Sequence, residues 1–181
     1  MLELIHITLW FTPMTLKDLF EQKRELGEAI KVRYHFPKTN KTTGLICLQN
    51  PALVEKLISG LCKLPANFVI VSSSDVVSDA ANIVCLKETP ADLELGFEFM
   101  VCDNEVSNLD RYFKQGIVPL IHQRNYMGNL LREFNPVKSE GNSFFYDEEN
   151  EWSIFYALTR YLENHKFPYD NRNLVKNIFE M

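Results

Sequence analysis

Short apolar runs separated by amphipathic stretches make up most of the chain, and this pattern predicts strands that alternate with helices. Runs that are apolar at nearly every position are typical of strands buried on both faces of a parallel sheet. A shorter run at residues 31–36, closed by Pro37, predicts an additional strand near the N-terminus. The other predicted strands lie at residues 2–11, 44–48, 68–71, 83–86, 97–102 and 117–121.

The stretches between the apolar runs carry signals for the start and end of helices. Asn50 and Pro51 form a cap followed by proline at the first helical position. Gly116 ends one amphipathic stretch, and Gly128 forms a turn before another. Helices are predicted at residues 15–30, 52–64, 108–116 and 129–134, followed by an apolar patch at 143–146 and two final helices from residue 151.

Strands separated by helices indicate an α/β fold, here a Rossmann-like open parallel sheet with helices on both faces. The 181 residues, 46% of them hydrophobic, are enough for one core and too few for a second complete domain. Within this single domain we expect an N-terminal β-α-β extension at residues 1–43, a core at 44–166 and a C-terminal helix at 167–181. The polar, turn-forming residues 38–43 predict a mobile linker before the core.

The composition favours a cytoplasmic protein and narrows its function. Lys and Arg number 19 against 24 Asp and Glu, a net charge of −5, which is not the basic footprint of a general nucleic-acid-binding protein. No apolar run approaches the roughly 20 residues of a membrane span, and the N-terminus lacks the basic start of a signal peptide. The cysteine spacing matches no zinc motif, so we expect no metal and no cofactor. The predicted reduced core cysteines are Cys47, Cys62, Cys85 and Cys102.

The second half of the chain has an ordered set of features. An apolar strand with an acidic end is followed by a helix closing on Gly-Ile-Val-Pro-Leu-Ile, a glycine turn, a Gly-Asn-Ser-Phe-Phe patch and a long helix. These features lie at residues 97–103, 116–121, 128–129, 141–145 and 152–162. In this order, residues 44–166 resemble the C-terminal, donor-binding half of a GT-B glycosyltransferase.

The resemblance implies a site for a nucleotide or nucleotide-sugar donor on this domain. Enzymes of this class carry the acceptor site on a separate N-terminal Rossmann domain, and residues 1–43 are too few to form one. A partner protein chain would then have to supply the acceptor site, as in split two-subunit members of the class. Glycosyl transfer by this chain alone is therefore not expected, and no catalytic residue is predicted.

Three positions depart from the pattern of the family. Residues 47–51 lack the Arg and Lys that hold the donor diphosphate in many retaining members. Ser72, Ser73 and Ser74 stand where glycines usually let the backbone approach a phosphate. The family's two glutamates are eight positions apart, yet the position that would pair with Glu105 is Phe113. These departures leave a second interpretation open, a non-catalytic Rossmann-like module for protein interaction.

Candidate ligand-binding residues follow the predicted strands, because parallel sheets hold ligands beyond the carboxyl ends of their strands. Asp103, Asn104 and Glu105 follow the strand at 97–102, and a carboxylate there can accept hydrogen bonds from sugar or ribose hydroxyls. The resemblance gives this role to Glu105. The structural alternative is that Asp103 or Ser107 caps the next helix.

A second group of candidates follows the strand at residues 117–121. His122 and Arg124 both donate hydrogen bonds to oxyanions and are predicted to contact a phosphate. Gly128, opening a helix at Asn129, would present free amides to an anion. The alternatives are an ordinary surface histidine and a glycine that a tight turn requires.

The loop after the strand at 68–71 supports a third class of function. Ser72, Ser73 and Ser74, followed by Asp75, offer hydroxyls and a carboxylate to a ligand. On a flavodoxin-like sheet, such a loop would suit an enzyme that processes phosphate esters or nucleotides. No Gly-x-Ser-x-Gly elbow is present, which argues against a serine hydrolase.

Overall fold

The computed structural model describes residues 14–40, 42–103, 106 and 108–181 of the chain. Within these residues, six parallel strands form one sheet in the order β3-β2-β1-β4-β5-β6. The strands are β1 (Thr42–Cys47), β2 (Ala66–Val71), β3 (Ile83–Leu86), β4 (Phe99–Cys102), β5 (Val118–His122) and β6 (Phe144–Tyr146).

Five α-helices accompany the sheet in the part of the chain that the structure describes, and local sequence explains where several of them begin. Thr15 and Asp18 form a reciprocal capping box at the start of the first helix, and Asn50 caps the second. None of the described helices is long and apolar enough to cross a membrane. The helices are α1 (Leu16–Arg33), α2 (Pro51–Leu61), α3 (Leu109–Phe113), α4 (Glu151–His165) and α5 (Pro168–Phe179).

The strand order reverses between β1 and β4. From β1 the chain moves outward through α2 to β2 and β3, and it then returns to β4 and moves outward in the opposite direction through α3 to β5. Because such crossovers are right-handed, α2 and α3 lie on opposite faces of the sheet. The Rossmann-like parallel sheet with helices on both faces is therefore confirmed. The alternative of a flavodoxin-like sheet, whose strand order is 2-1-3-4-5, is wrong for this chain.

The core is built where the central strands are apolar on both faces. Phe99 of β4 packs across Gly44 of β1 so closely that a Cβ at Gly44 would lie 2.0 Å from the phenyl ring. The same ring meets Tyr161 of α4, with ring centroids 4.6 Å apart. Gly44 is thus required by the position of an aromatic side chain, and α4 is fixed on that face of the sheet.

A buried lysine joins α1 to the sheet. The ammonium group of Lys23, a residue 7% exposed, donates hydrogen bonds to the carbonyl oxygens of Phe97 at 2.6 Å, Leu95 at 3.3 Å and Gln115 at 3.3 Å. Phe97 leads into β4 and Gln115 leads into β5. Burial lowers the pKa of Lys23 to about 8. The single side chain therefore connects one helix to the segments that lead into two neighbouring strands.

The strand predicted at residues 31–36 is wrong. Lys31 lies in the last turn of α1, and the helix ends when His35 adopts a positive φ of 54°. The amide of Phe36 then donates to the carbonyl of Lys31 at 2.9 Å, which closes a Schellman motif. The apolar side chains that suggested a strand are explained by this cap, because Phe36 is buried beneath the end of the helix.

The predicted linker at 38–43 is wrong at its C-terminal end. Thr42 and Thr43 are buried and open β1, while the Asn40 side chain donates to the carbonyl of Ala66 at 3.2 Å. The predicted strand at 2–11 lies outside the described residues. The division of the chain at residues 43 and 166 remains a prediction.

The predicted helix at 129–134 is also wrong. A single 3₁₀ turn covers Tyr126–Asn129, and the chain then runs extended, with the amide of Phe134 donating to the carbonyl of Ser143 at 2.9 Å. The apolar patch at 143–146 forms the sixth strand, β6. This strand pairs in parallel with β5 and gives the sheet an edge strand that the sequence did not predict.

Candidate functional site

The carboxyl ends of β1 and β4 form the crevice where a doubly wound sheet holds its ligand. The backbone amide of Gln49, just after β1, donates a hydrogen bond to Oδ2 of Asp103, just after β4, at 2.6 Å. The side chain of Asn125 reaches the Asp103 carbonyl oxygen at 3.5 Å. Asp103 therefore joins the loops that follow three neighbouring strands, β1, β4 and β5.

A cavity of about 330 Å³ opens beside this junction, towards β2 and β3. Its walls come from the loops after β1, β2 and β3 and from the start of the segment that contains α3. Polar groups, among them hydroxyl, amide and ammonium groups, form more of the exposed wall than apolar groups do, which suits a polar ligand. The residues that line it include Gln49, Ser72, Ser73, Lys87, Thr89 and Tyr112.

The serine loop after β2 is held in place by its own hydrogen bonds. Oγ of the buried Ser72 accepts from the amide of Ser74 at 3.2 Å, and the carbonyl of Ser73 accepts from Nζ of Lys87 at 3.2 Å. Lys87 also pairs with Asp75 at 2.6 Å, and this contact holds the pKa of Asp75 below its usual value. Both the exposed Ser73 and the buried Ser72 line the cavity, and the Ser72 hydroxyl keeps its own proton to donate.

Lys87 is the cation that sequence reasoning missed. It follows β3 directly, so the rule that ligands bind beyond strand carboxyl ends applies to it as well as to the chosen candidates. Gln49 was also missed, because it is uncharged and lies in a segment, residues 47–51, that lacks the Arg and Lys of the family pattern. Both residues line the cavity.

His122 supports a turn. Its Nδ1 accepts a hydrogen bond from the amide of Arg124 at 3.1 Å, so Nε2 carries the proton and donates to the carbonyl of Asp147 at 3.0 Å. The ring is 8% exposed and meets Tyr146 edge-on at a centroid distance of 5.5 Å. Both ring nitrogens are thus used by the backbone, and neither is left to contact a phosphate.

The other candidates after β5 lie in exposed turns. The Arg124 guanidinium makes no ion pair with any described residue, and its side chain is exposed. Gly128 and Asn129 belong to the 3₁₀ turn, which Asn125 caps by accepting from the Met127 amide at 2.9 Å. Because no α-helix begins here, the expected helix N-terminus for an anion is not formed.

The acidic cluster after β4 is described only at Asp103. Asn104, Glu105 and Ser107 lie outside the described residues. The cap position of α3 is Asn108, with a positive φ of 57° and no side-chain cap bond among the described residues. The Asp103 carboxylate accepts a hydrogen bond from the loop after β1, and its role as a cap of α3 remains a prediction.

The cysteines are free thiols, as predicted, but they do not all lie in the core. Cys102 is fully buried in β4, and burial raises the pKa of Cys47 in β1 to about 12. Cys62 is exposed at the end of α2, so its assignment to the core is wrong. No cluster of three or more His, Cys, Asp or Glu side chains suited to a metal ion occurs in the described part of the chain.

The fold is that of one half of a GT-B glycosyltransferase, which confirms the resemblance at the level of fold. No protein-family model and no curated protein sequence matches the chain. Among solved structures, the spinosyn rhamnosyltransferase SpnG with spinosyn aglycone is 17% identical, with a TM-score of 0.50 over 80% of this chain and 43% of its own. The spinosyn forosaminyltransferase SpnP is 16% identical, with a TM-score of 0.53 over 79% of this chain and 42% of its own.

Two further structures extend the comparison. SnogD, a glycosyltransferase from Streptomyces nogalater, is 14% identical, with a TM-score of 0.52 over 80% of this chain and 41% of its own. SpnG has also been solved in complex with thymidine diphosphate, and that structure matches with a TM-score of 0.50. The chain thus spans about two-fifths of the length of these enzymes.

Proposed function

We propose that the chain is a glycosyltransferase-like domain that binds a nucleotide or nucleotide-sugar at the carboxyl ends of β1, β2 and β4. The observation that carries this proposal is the crevice at the reversal of strand order, closed by the bond between Gln49 and Asp103 and adjoining the 330 Å³ cavity. Ligands of doubly wound sheets bind at this position. The thymidine diphosphate complex of SpnG adds support by analogy of fold.

The described residues suggest a division of roles along such a ligand. Lys87 and the exposed Ser73 would contact the phosphates, since both line the cavity. Asp103 would fix the crevice, and Glu105 would accept hydrogen bonds from sugar or ribose hydroxyls, as the resemblance implies. Arg124 follows β5, which is three strands from β2, or about 14 Å at ordinary strand spacing. It would therefore meet only the far end of an extended ligand.

Glycosyl transfer itself would require an acceptor site from another chain or another domain, in line with the two-fifths of enzyme length that this chain spans. Four free thiols agree with a cytoplasmic location. The second candidate function, a non-catalytic interaction module, is favoured by one observation. Both nitrogens of His122 are occupied by the backbone, which removes an expected phosphate contact.

Titration of the full chain with UDP, GDP and TDP, followed by amide chemical shifts, tests the proposal. Shifts are expected at Gln49, Ser73 and Val106, which line the cavity. Asp75 pairs with the ammonium group of Lys87. Asp75→Asn frees this group and should raise nucleotide affinity, whereas Lys87→Met removes it and should lower affinity, by roughly threefold to tenfold each. The matched control is Lys56→Met on the exposed side of α2, which should bind as the parent does.

A sugar nucleotide tests the acidic cluster. Glu105→Gln should weaken binding of the matching sugar nucleotide by about 1–3 kcal/mol, the scale of a hydrogen bond to a charged group, with little effect on the parent nucleotide diphosphate. The absence of any shift at millimolar nucleotide would reject the donor-site proposal and leave the interaction module as the better explanation.

A further inference from the structure

A second depression lies at the opposite edge of the sheet, where the strands begin. It has a volume of about 670 Å³ and is bounded by α1, by the end of α4 and by the start of α5. The residues at its base precede or open strands, as Thr42 does for β1 and Pro65 for β2. None of the candidate donor-site residues lines it. It is therefore independent of the proposed nucleotide site.

The floor of this depression is apolar, and its rim is cationic. Phe20, Pro65 and Leu162 form part of the floor. Arg172 at the rim is stacked over Phe20, with the guanidinium carbon 5.4 Å from the ring centroid. Arg24 lines a neighbouring, more open depression together with Phe20, Arg172 and Glu21. Phe20 and Arg172 thus lie where the two depressions meet.

Neither guanidinium has an acidic partner. Among the described residues, Arg24 and Arg172 form no ion pair and donate no hydrogen bond, although nearby cations are paired. His165, which also lines the depression, is held by Glu98 through Nε2 at 2.9 Å, and no described residue bonds its Nδ1. The unpaired guanidinium of Arg172, beside an exposed apolar floor, is complementary to an anion with an apolar body.

Polar atoms in the wall also lack partners. The hydroxyl of Thr42, a residue 3% exposed, lies beside the Tyr161 hydroxyl without a well-formed hydrogen bond, and the amide oxygen of Asn171 has no partner within the described part of the chain. Thr42 and Asn171 both line the depression. Such atoms are uncommon in folded proteins, and a water or another bound molecule can complete their bonding.

We propose that this depression binds a small amphipathic organic anion. Its carboxylate would pair with Arg172, and its apolar body would cover Phe20, Pro65 and Leu162. The volume of about 670 Å³ is within the range of about 300–1,000 Å³ that small-molecule sites occupy. Among sources of this chemistry, a volume that suits a whole small molecule favours a free acid over a lipid headgroup at a bilayer surface.

Octanoate is the probe, with acetate and the neutral octanamide as matched comparisons, each titrated into the full chain and followed by amide shifts. Octanoate should shift Thr42, His165 and Asn171 and saturate in the millimolar range, with acetate and octanamide at least about fivefold weaker. Arg172→Gln should lower octanoate affinity about threefold to tenfold, because an exposed charge contact is lost. The exposed Arg132 lies outside the depression, so Arg132→Gln should have no effect.

Four results would overturn the proposal. Equal binding of octanamide would show an apolar cavity without an anion site. Unchanged octanoate affinity in Arg172→Gln would show that the anion does not bind at Arg172. The absence of octanoate-induced shifts at Thr42, His165 and Asn171 would show that the depression is not the binding site. Binding to phosphatidylserine vesicles without binding of octanoate would assign the surface to a bilayer. Because the nucleotide titration reports on Gln49 and Ser73 at the other edge, either proposal can fail without the other.

Discussion

The amide of Gln49 donates a hydrogen bond to the carboxylate of Asp103 across the point where the strand order reverses, at a distance of 2.6 Å. The two residues are 54 positions apart in sequence, yet they set the spacing between the loops after β1 and β4. A charge-assisted bond of this length is among the stronger contacts that a loop can form. The width of the proposed donor crevice therefore depends on one carboxylate.

Replacing Asp103 with Asn should weaken this junction without a change in shape. We expect the free energy of unfolding to fall by about 1 kcal/mol, because a charged acceptor becomes a neutral one. Urea denaturation measures the change. Asp110→Asn, on the exposed surface of α3, is the control and should unfold as the parent does. Equal stability of both variants would show that the bond does not hold the loops.

Val118 and Val137 test the position of β5 in the sheet. Val118 is fully buried in β5, whereas Val137 is 94% exposed. Val118→Asp should prevent folding, since a buried carboxylate without a partner costs several kcal/mol. Val137→Asp should melt as the parent does in a thermal scan followed by circular dichroism. A stable Val118→Asp protein would mean that β5 is not central.

Replacing either of two glycines, Gly44 or Gly27, with alanine should have opposite effects on stability. Gly44→Ala places a Cβ 2.0 Å from the Phe99 ring and should destabilise the domain by about 1–3 kcal/mol through overpacking. Gly27→Ala in α1 meets only the Gly96 carbonyl oxygen, at 3.5 Å, and should stabilise by about 0.5–1 kcal/mol through helix propensity. Denaturant midpoints of the two variants should lie on either side of the parent value.

The thiols should differ in their reaction with a disulfide reagent. Cys62 is exposed and should react rapidly in the native protein. Cys102 is fully buried, and burial raises its pKa and that of Cys47, so both should react only on unfolding. Timed addition of the reagent measures the rates. Cys62→Ser should remove the fast phase, and a fast phase that persists would contradict the assignment.

Lys23 predicts a specific dependence of stability on pH. Burial lowers its pKa from 10.5 to about 8, so between these values the unfolded chain holds a proton that the folded chain has released. Unfolding takes up this proton, and the free energy of unfolding therefore gains up to about 3 kcal/mol as pH rises through the window. Denaturation of the parent and of Lys23→Met, at pH values below and within the window, gives the difference. A constant difference would contradict the prediction.

The strands of the sheet could be predicted from the sequence wherever a strand is buried on both faces. The predicted runs match β1 to β5 to within two residues at each end, because apolar side chains are required at consecutive positions. β6 escaped prediction because three residues are too few for a pattern. Its place depends on a distant contact, the hydroxyl of Tyr146 donating to the carbonyl of Cys102 at 2.8 Å.

The candidate site was predictable in its location and less so in its contacts. Strand ends could be found from the sequence, and they led to Ser72, Asp103 and His122. The partners of these side chains come from segments far away in the sequence, such as the carbonyl of Asp147 for His122. A histidine that hydrogen-bonds to the backbone of a turn and one that binds a ligand can have the same local sequence, so only the structure distinguishes them.

The three carbonyl bonds of Lys23 bear on how the domain opens. One ammonium group contacts the segments that lead into β4 and β5. If α1 leaves the sheet, three carbonyl groups therefore lose the hydrogen bonds that Lys23 donates to them. In native-state hydrogen exchange, the interior amides of α1 should then exchange together with those of β4 and β5. In kinetic terms, helix and strands form one cooperative unit, and local fraying is confined to the ends of α1.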